Sequence, residues 1–116
     1  MIVGDFMKVK INQTEWEIIE CAEDGRLILD DSVFCTGTAH YRIQKIYLNK
    51  CLGEEKLFQV LCHELSHAYL HETQLEVNKN SFTDEMLCEF VGLYGKQIVD
   101  TASAYMEWRK TNKQQS

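Results

Sequence analysis

The stretch LFQVLCHELSHAYL, residues 57–70, decides how this chain is read, because it holds His63-Glu64-Leu65-Ser66-His67. This is an H-E-x-x-H pattern. On an α-helix, residues four apart lie one above the other, so both imidazoles can reach a single metal ion. Glu64, one step on from His63, sits near enough to take a proton from a water beside that ion without being a ligand. Zinc brings the acidity of such a water close to neutrality, which is where a carboxylate base is useful. A chance match arises in roughly a few chains per thousand of this length. The bland alternative is a helix with two surface histidines and a glutamate.

The flanking residues argue for a packed helix. Leu57, Leu61, Leu65 and Ala68 form one apolar face, with Phe58 and Tyr69 at its edge, opposite the histidines. Val60 and Leu70 flank the histidine stripe itself, which predicts that this side is covered by protein as well. Covered histidines and a covered glutamate need partners, and a metal would satisfy all three. Glu54 and Glu55 place negative charge at the start of the helix, where the macrodipole favours it. The helix is expected over 54–72.

Before the motif, Phe6-Met-Lys-Val-Lys-Ile11 alternates apolar and basic residues, the pattern of a half-buried strand. Asn12-Gln13 is a turn, and residues 15–21 form a second strand with Trp16 and Ile18 on one face, giving a hairpin. Ala22 to Gly25 ends it. Arg26–Leu29 is a short apolar run, and Asp30-Asp31-Ser32 a turn. Thr36-Gly-Thr-Ala39 reads as a flexible corner and 42–49 as a further strand of uncertain register. After the motif, 73–80 is a connecting loop and Ser81 an N-cap. A second helix is expected over 81–108, followed by a frayed polar tail over 109–116. The fold class is therefore α+β: a strand-rich half over 1–50, then two helices, in one domain of 116 residues.

Composition narrows the function. A formal charge of −6 argues against nonspecific nucleic-acid binding, which needs a basic surface. No apolar run is long enough for a membrane span, and the N-terminus lacks the layout of a signal peptide. Cys21, Cys35, Cys51, Cys62 and Cys88 are odd in number and include no C-x-x-C pair, a poor disulfide framework that fits a reducing compartment. A cytoplasmic location is expected, with Cys62 part of the core.

Catalytic zinc usually has three protein ligands. His40, His71, Glu72, Glu76, Asp84, Glu85 and Glu89 are the candidates for the third. His71 is two turns from His63, and the extended H-E-x-x-H-x-x-G-x-x-H motif is absent, so it reads better as a cation near a helix end. Glu85, Cys88, Gly92, Gly95 and Val99 recur at spacings of three and four. They form a stripe of small residues headed by a carboxylate, a surface on which two helices can approach closely. Packing of this stripe on the motif helix would carry Glu85 to the histidines. Glu89, about 40° further round the axis, is the next choice.

With those residues in view, the sequence resembles zinc metallopeptidases whose third ligand is a downstream glutamate, and more narrowly the ImmA/IrrE-type and related small phage-encoded peptidases. The likeness rests on His63–Ala68, on the strand-rich half ending in Ile46-Tyr-Leu-Asn49, and on Asp84-Glu-Met-Leu-Cys-Glu-Phe-Val91. It spans roughly residues 6 to 98, and H-E-x-x-H is its one sharp motif. It implies a minimal zincin fold, with zinc on His63, His67 and Glu85, and Glu64 as general base. It also implies a protein or peptide substrate, a regulatory protein in particular. The E-x-x-A-N-x-F-A segment of larger members is missing. The expected chemistry is amide hydrolysis, with an extended substrate pairing on a strand edge within 41–48. Tyr41, His40, Tyr69 and His71 are candidate oxyanion donors. The alternative is a metal-stabilised binding module, of phage or mobile-element type, that cleaves nothing.

Overall fold

The computed structural model describes residues 6–21, 36–73 and 83–114. It is α+β, with four strands and two helices. The strands are β1 (Phe6–Ile11), β2 (Thr14–Cys21), β3 (Gly37–His40) and β4 (Lys45–Asn49), and the helices are α1 (Glu54–Glu72) and α2 (Asp84–Gln114). The sheet is mixed and its order is β1-β2-β4-β3. β1 runs antiparallel to β2, β2 parallel to β4, and β3 antiparallel to β4.

The hairpin expected from residues 6–21 is present, with Phe6 opposite Ile19 and Ile11 opposite Thr14. Its two-residue loop puts Asn12 at φ 49° and Gln13 at φ 73°. Both values lie in the left-handed region that two-residue hairpin loops of the primed type demand. Strand alternation then sorts the side chains. Ile11, Trp16, Ile18, Ile46 and Leu48 are buried on the face that receives the helices. Lys8 meets Glu15, and Lys45 meets Glu17, on the other face.

Two readings of this half are corrected. Thr36–Ala39 is not a corner: Gly37 to His40 form β3, which pairs with β4 from Leu48 to Lys45. Residues 41–44 are a turn, so the strand expected over 42–49 is confined to Lys45–Asn49. Strand β4 lies between β2 and β3, and so offers no edge for a substrate. The readings over 22–35 and 74–82, including Glu76 and the Ser81 cap, lie outside the described residues.

Helix α1 covers the expected span and packs as its periodicity requires, with Leu57, Leu61, Leu65 and Ala68 wholly buried against the sheet. Its C-terminus is tied to the hairpin. The Asn12 side-chain amide donates to the Glu72 carbonyl at 3.0 Å, and the Trp16 indole N–H donates to the Glu72 carboxylate at 2.7 Å.

Helix α2 begins at Asp84, where the Thr83 hydroxyl accepts a hydrogen bond from the Met86 N–H at 3.2 Å. It packs through its bulky residues. Phe90, Ile98, Ala102 and Tyr105 are buried, and Tyr94 sits between Phe90 and Tyr69. The expected polar tail is instead helix through Gln114. Arg109 is buried, and its Nε donates to Glu20 Oε2 at 2.6 Å. The Tyr105 hydroxyl donates to the same oxygen at 2.6 Å. Charge pairing with β2 therefore carries the helix past the point where composition alone would end it.

Candidate metal centre

The histidine pair is built by α1 alone. His63 and His67, one turn apart, aim their rings toward each other, and their Nε2 atoms come to 3.3 Å with the ring planes at 74°. A tetrahedral ion with nitrogen ligands at 2.0–2.1 Å holds two such nitrogens about 3.3–3.4 Å apart. The pair thus has the separation that two ligands of one zinc ion need. As a direct hydrogen bond it would be long, since N–H donors prefer about 2.9–3.0 Å. Both histidines are exposed, while Val60 on the same side is buried. The expected cover over the whole stripe is therefore only partial, and the case for a metal rests on convergence of the nitrogens rather than on burial.

Glu64 is the buried member, 8% exposed. Burial pushes its carboxyl pKa up, and His63 and His67 pull it partly back down. A carboxylate held this way accepts a proton more readily than one in open water.

Strand β3 supplies the other wall. A Cβ on Gly37 would stand 2.8 Å from a Val60 methyl, 3.2 Å from the Tyr47 carbonyl oxygen and 3.3 Å from the Glu64 Cγ. Only glycine lets the strand lie this close to the helix. A glycine within a strand can signal such an approach, but only once the strand is known, and 36–39 carries no strand pattern of its own. Between the two walls runs a cleft of about 320 Å³, lined by Thr36, Gly37, Lys56, Gln59, Val60, His63 and Glu64. Sequence reasoning missed Thr36, Gly37, Lys56 and Gln59, because none of them belongs to a motif. The sheet margin beside this cleft is β3, not the 41–48 segment.

Among the described residues, no group of three or more His, Cys, Asp or Glu is placed to hold a metal ion. Glu85 and Glu89 are both exposed on α2. At about 100° per residue they point away from the face that carries Phe90 and Tyr94. The small-residue stripe is likewise turned outward: Cys88, Gly92 and Val99 are exposed, and nothing lies within 4 Å of a Cβ built on Gly92. The inference that this stripe packs on α1 is therefore corrected, because large apolar residues bury more surface against α1 than glycines do. Nothing in the structure explains Gly92.

The other candidates are engaged elsewhere or lie apart. Glu72 bonds to Trp16, and His71 stacks on Tyr41 with ring centroids 4.6 Å apart. His40 meets Tyr47 edge-on at 5.2 Å, and Asp84 is exposed in the first turn of α2. Tyr69 is buried against Tyr94. None of the four oxyanion candidates lines the cleft. Cys62 is half-buried at the margin of the core, and burial pushes its thiol up.

Comparison with protein-family models, curated proteins and solved structures finds no match. No described helix is long and apolar enough to cross a membrane.

Proposed function

We propose that the protein is a zinc metallopeptidase of minimal zincin-like design, with His63 and His67 as ligands and Glu64 as general base. The observation that carries this is the 3.3 Å approach of the two Nε2 atoms directly beside a buried glutamate. When bound, zinc supplies Lewis acidity that makes water easier to deprotonate and a peptide carbonyl easier to attack. Glu64 takes the proton from the attacking water and hands it to the leaving amine. Strand β3 and α1 bound the space in which the peptide lies. A regulatory protein as the substrate rests on the family resemblance alone.

A second reading has an observation behind it. Only two donors meet among the described residues, which is what a metal-stabilised binding module with a weak site would show. The two readings separate on Glu64→Gln: with zinc content unchanged, a peptidase loses cleavage and a binding module loses nothing.

The direct test is zinc stoichiometry of protein purified without chelator, alongside Glu85→Ala and Glu89→Ala. About one zinc per chain is expected in the wild type. Loss in one variant assigns that glutamate as the third ligand, and retention in both excludes Glu85 and Glu89. No zinc after reconstitution would overturn the proposal.

A further inference from the structure

The cleft does not extend symmetrically from the histidines. Its lining runs from His63 and Glu64 back along α1 through Val60 and Gln59 to Lys56, with Thr36 and Gly37 facing them. Lys56 is the one cation among these residues. It is exposed and has no ion pair among the described residues. Glu54 and Glu55 are close in sequence but do not line the cleft.

Strand β3 runs alongside α1 in the same sense. Gly37 lies against Val60 and Glu64, and Tyr41, just past the strand, stacks on His71. A peptide pairing with the outer margin of β3 in the commoner antiparallel sense would run the opposite way. Its C-terminal side then points toward Lys56. From His63 back to Lys56 is seven residues of helix, or roughly 10 Å. An extended chain covers that distance in about three residues.

We infer that Lys56, with Gln59 and Thr36, forms a subsite for a carboxylate about three residues downstream of the cleaved bond. The carboxylate is an acidic side chain of the substrate. This rests on the peptidase reading for its register, though not for its charge preference. A chain of net charge −6 that places its single cleft cation here selects locally against its overall field.

The experiment uses the full chain and two readouts. Binding of fluorescent decapeptide pools, with the seventh to ninth positions fixed as Asp/Glu, Ala/Ser or Lys/Arg, is measured on zinc-reconstituted Glu64→Gln protein, with and without Lys56→Glu. Cleavage of the same pools by zinc-loaded wild type and Lys56→Glu is read by mass spectrometry. Lys56 is exposed, so the substitution should leave zinc content and circular dichroism unchanged, and both are checked. The acidic pool should bind roughly 2- to 5-fold tighter than the neutral one, the range of an exposed ion pair. The preference should reverse toward Lys/Arg in Lys56→Glu and shrink at high salt. Acidic residues should also gather about three positions after the cut. Cleavage without acidic preference, or a preference unchanged in Lys56→Glu, overturns the subsite and leaves the peptidase standing. Lys56-dependent binding of the acidic pool without cleavage upholds the carboxylate site but overturns its register and the peptidase, and neither binding nor cleavage overturns both.

Discussion

Burying Glu64 beside two exposed histidines imposes a cost on the fold, separable from the role of base proposed for it. Because burial raises its folded-state pKa above the unfolded value, the folded chain holds that proton more tightly. The resulting stability is full below the unfolded value and is lost as pH rises through the folded one. In chelator-treated protein, Glu64→Gln should therefore be more stable than wild type at pH 7. The advantage should shrink toward about pH 4, where the ordinary glutamate range begins. Urea denaturation at the two pH values measures this, and equal stability at both would show that the carboxylate is not strained by burial. In zinc-loaded protein the same substitution should lower cleavage by roughly 10²- to 10⁴-fold with the metal retained, the usual contribution of a general base. His63, Glu64 and His67 were legible because a fixed helical spacing places them, whatever surrounds the helix.

At the scale of elements, three short features depend on backbone or contact geometry that local pattern does not encode. Gln13 holds φ 73° with its side chain exposed. Gln13→Gly should stabilise the hairpin by about 1 kcal/mol, because the left-handed region costs a side-chain-bearing residue that much. Thermal denaturation reads the difference. Gly37→Ala should cost about 1–3 kcal/mol, as overpacking does. Adding Val60→Ala should recover part of it, since the Val60 methyl is the nearest obstacle, and a double-mutant cycle tests the coupling. Strand β3 itself escaped notice because four residues beginning at a glycine carry no alternation, and its pairing with β4 is what defines it. The small-residue stripe on α2 misled for a related reason. Spacing identifies a face but does not say which face is packed.

Across the whole molecule, α2 is held to β2 by Glu20, whose Oε2 accepts from both Tyr105 and Arg109, 85 and 89 residues away. The Arg109–Glu20 pair is nearly buried, with side-chain exposures of 9% and 12%. Removing one partner leaves the other charge stranded, so Arg109→Met should destabilise the protein by about 3–5 kcal/mol. A loss near zero in denaturant melts would show that the last turns of α2 are dispensable. Zinc should act on the whole fold by mass action, raising the unfolding temperature. A chelator should reverse that rise, and His67→Ala should abolish it.

Local sequence was enough for the α+β class, the hairpin with Trp16 and Ile18 facing inward, the full extent of α1, and the two histidines beside a glutamate. Each follows from a period of two or of 3.6 residues, and such periods are properties of neighbouring residues. Tertiary structure alone decided that β3 flanks the histidine helix, that Gly37 and Lys56 line the cleft, and that α2 turns Gly92 and Glu85 outward. It also decided that Arg109 belongs to the core rather than to a tail. These outcomes depend on which surfaces meet across tens of residues, and that choice is made by the buried area and paired charge of the assembled fold.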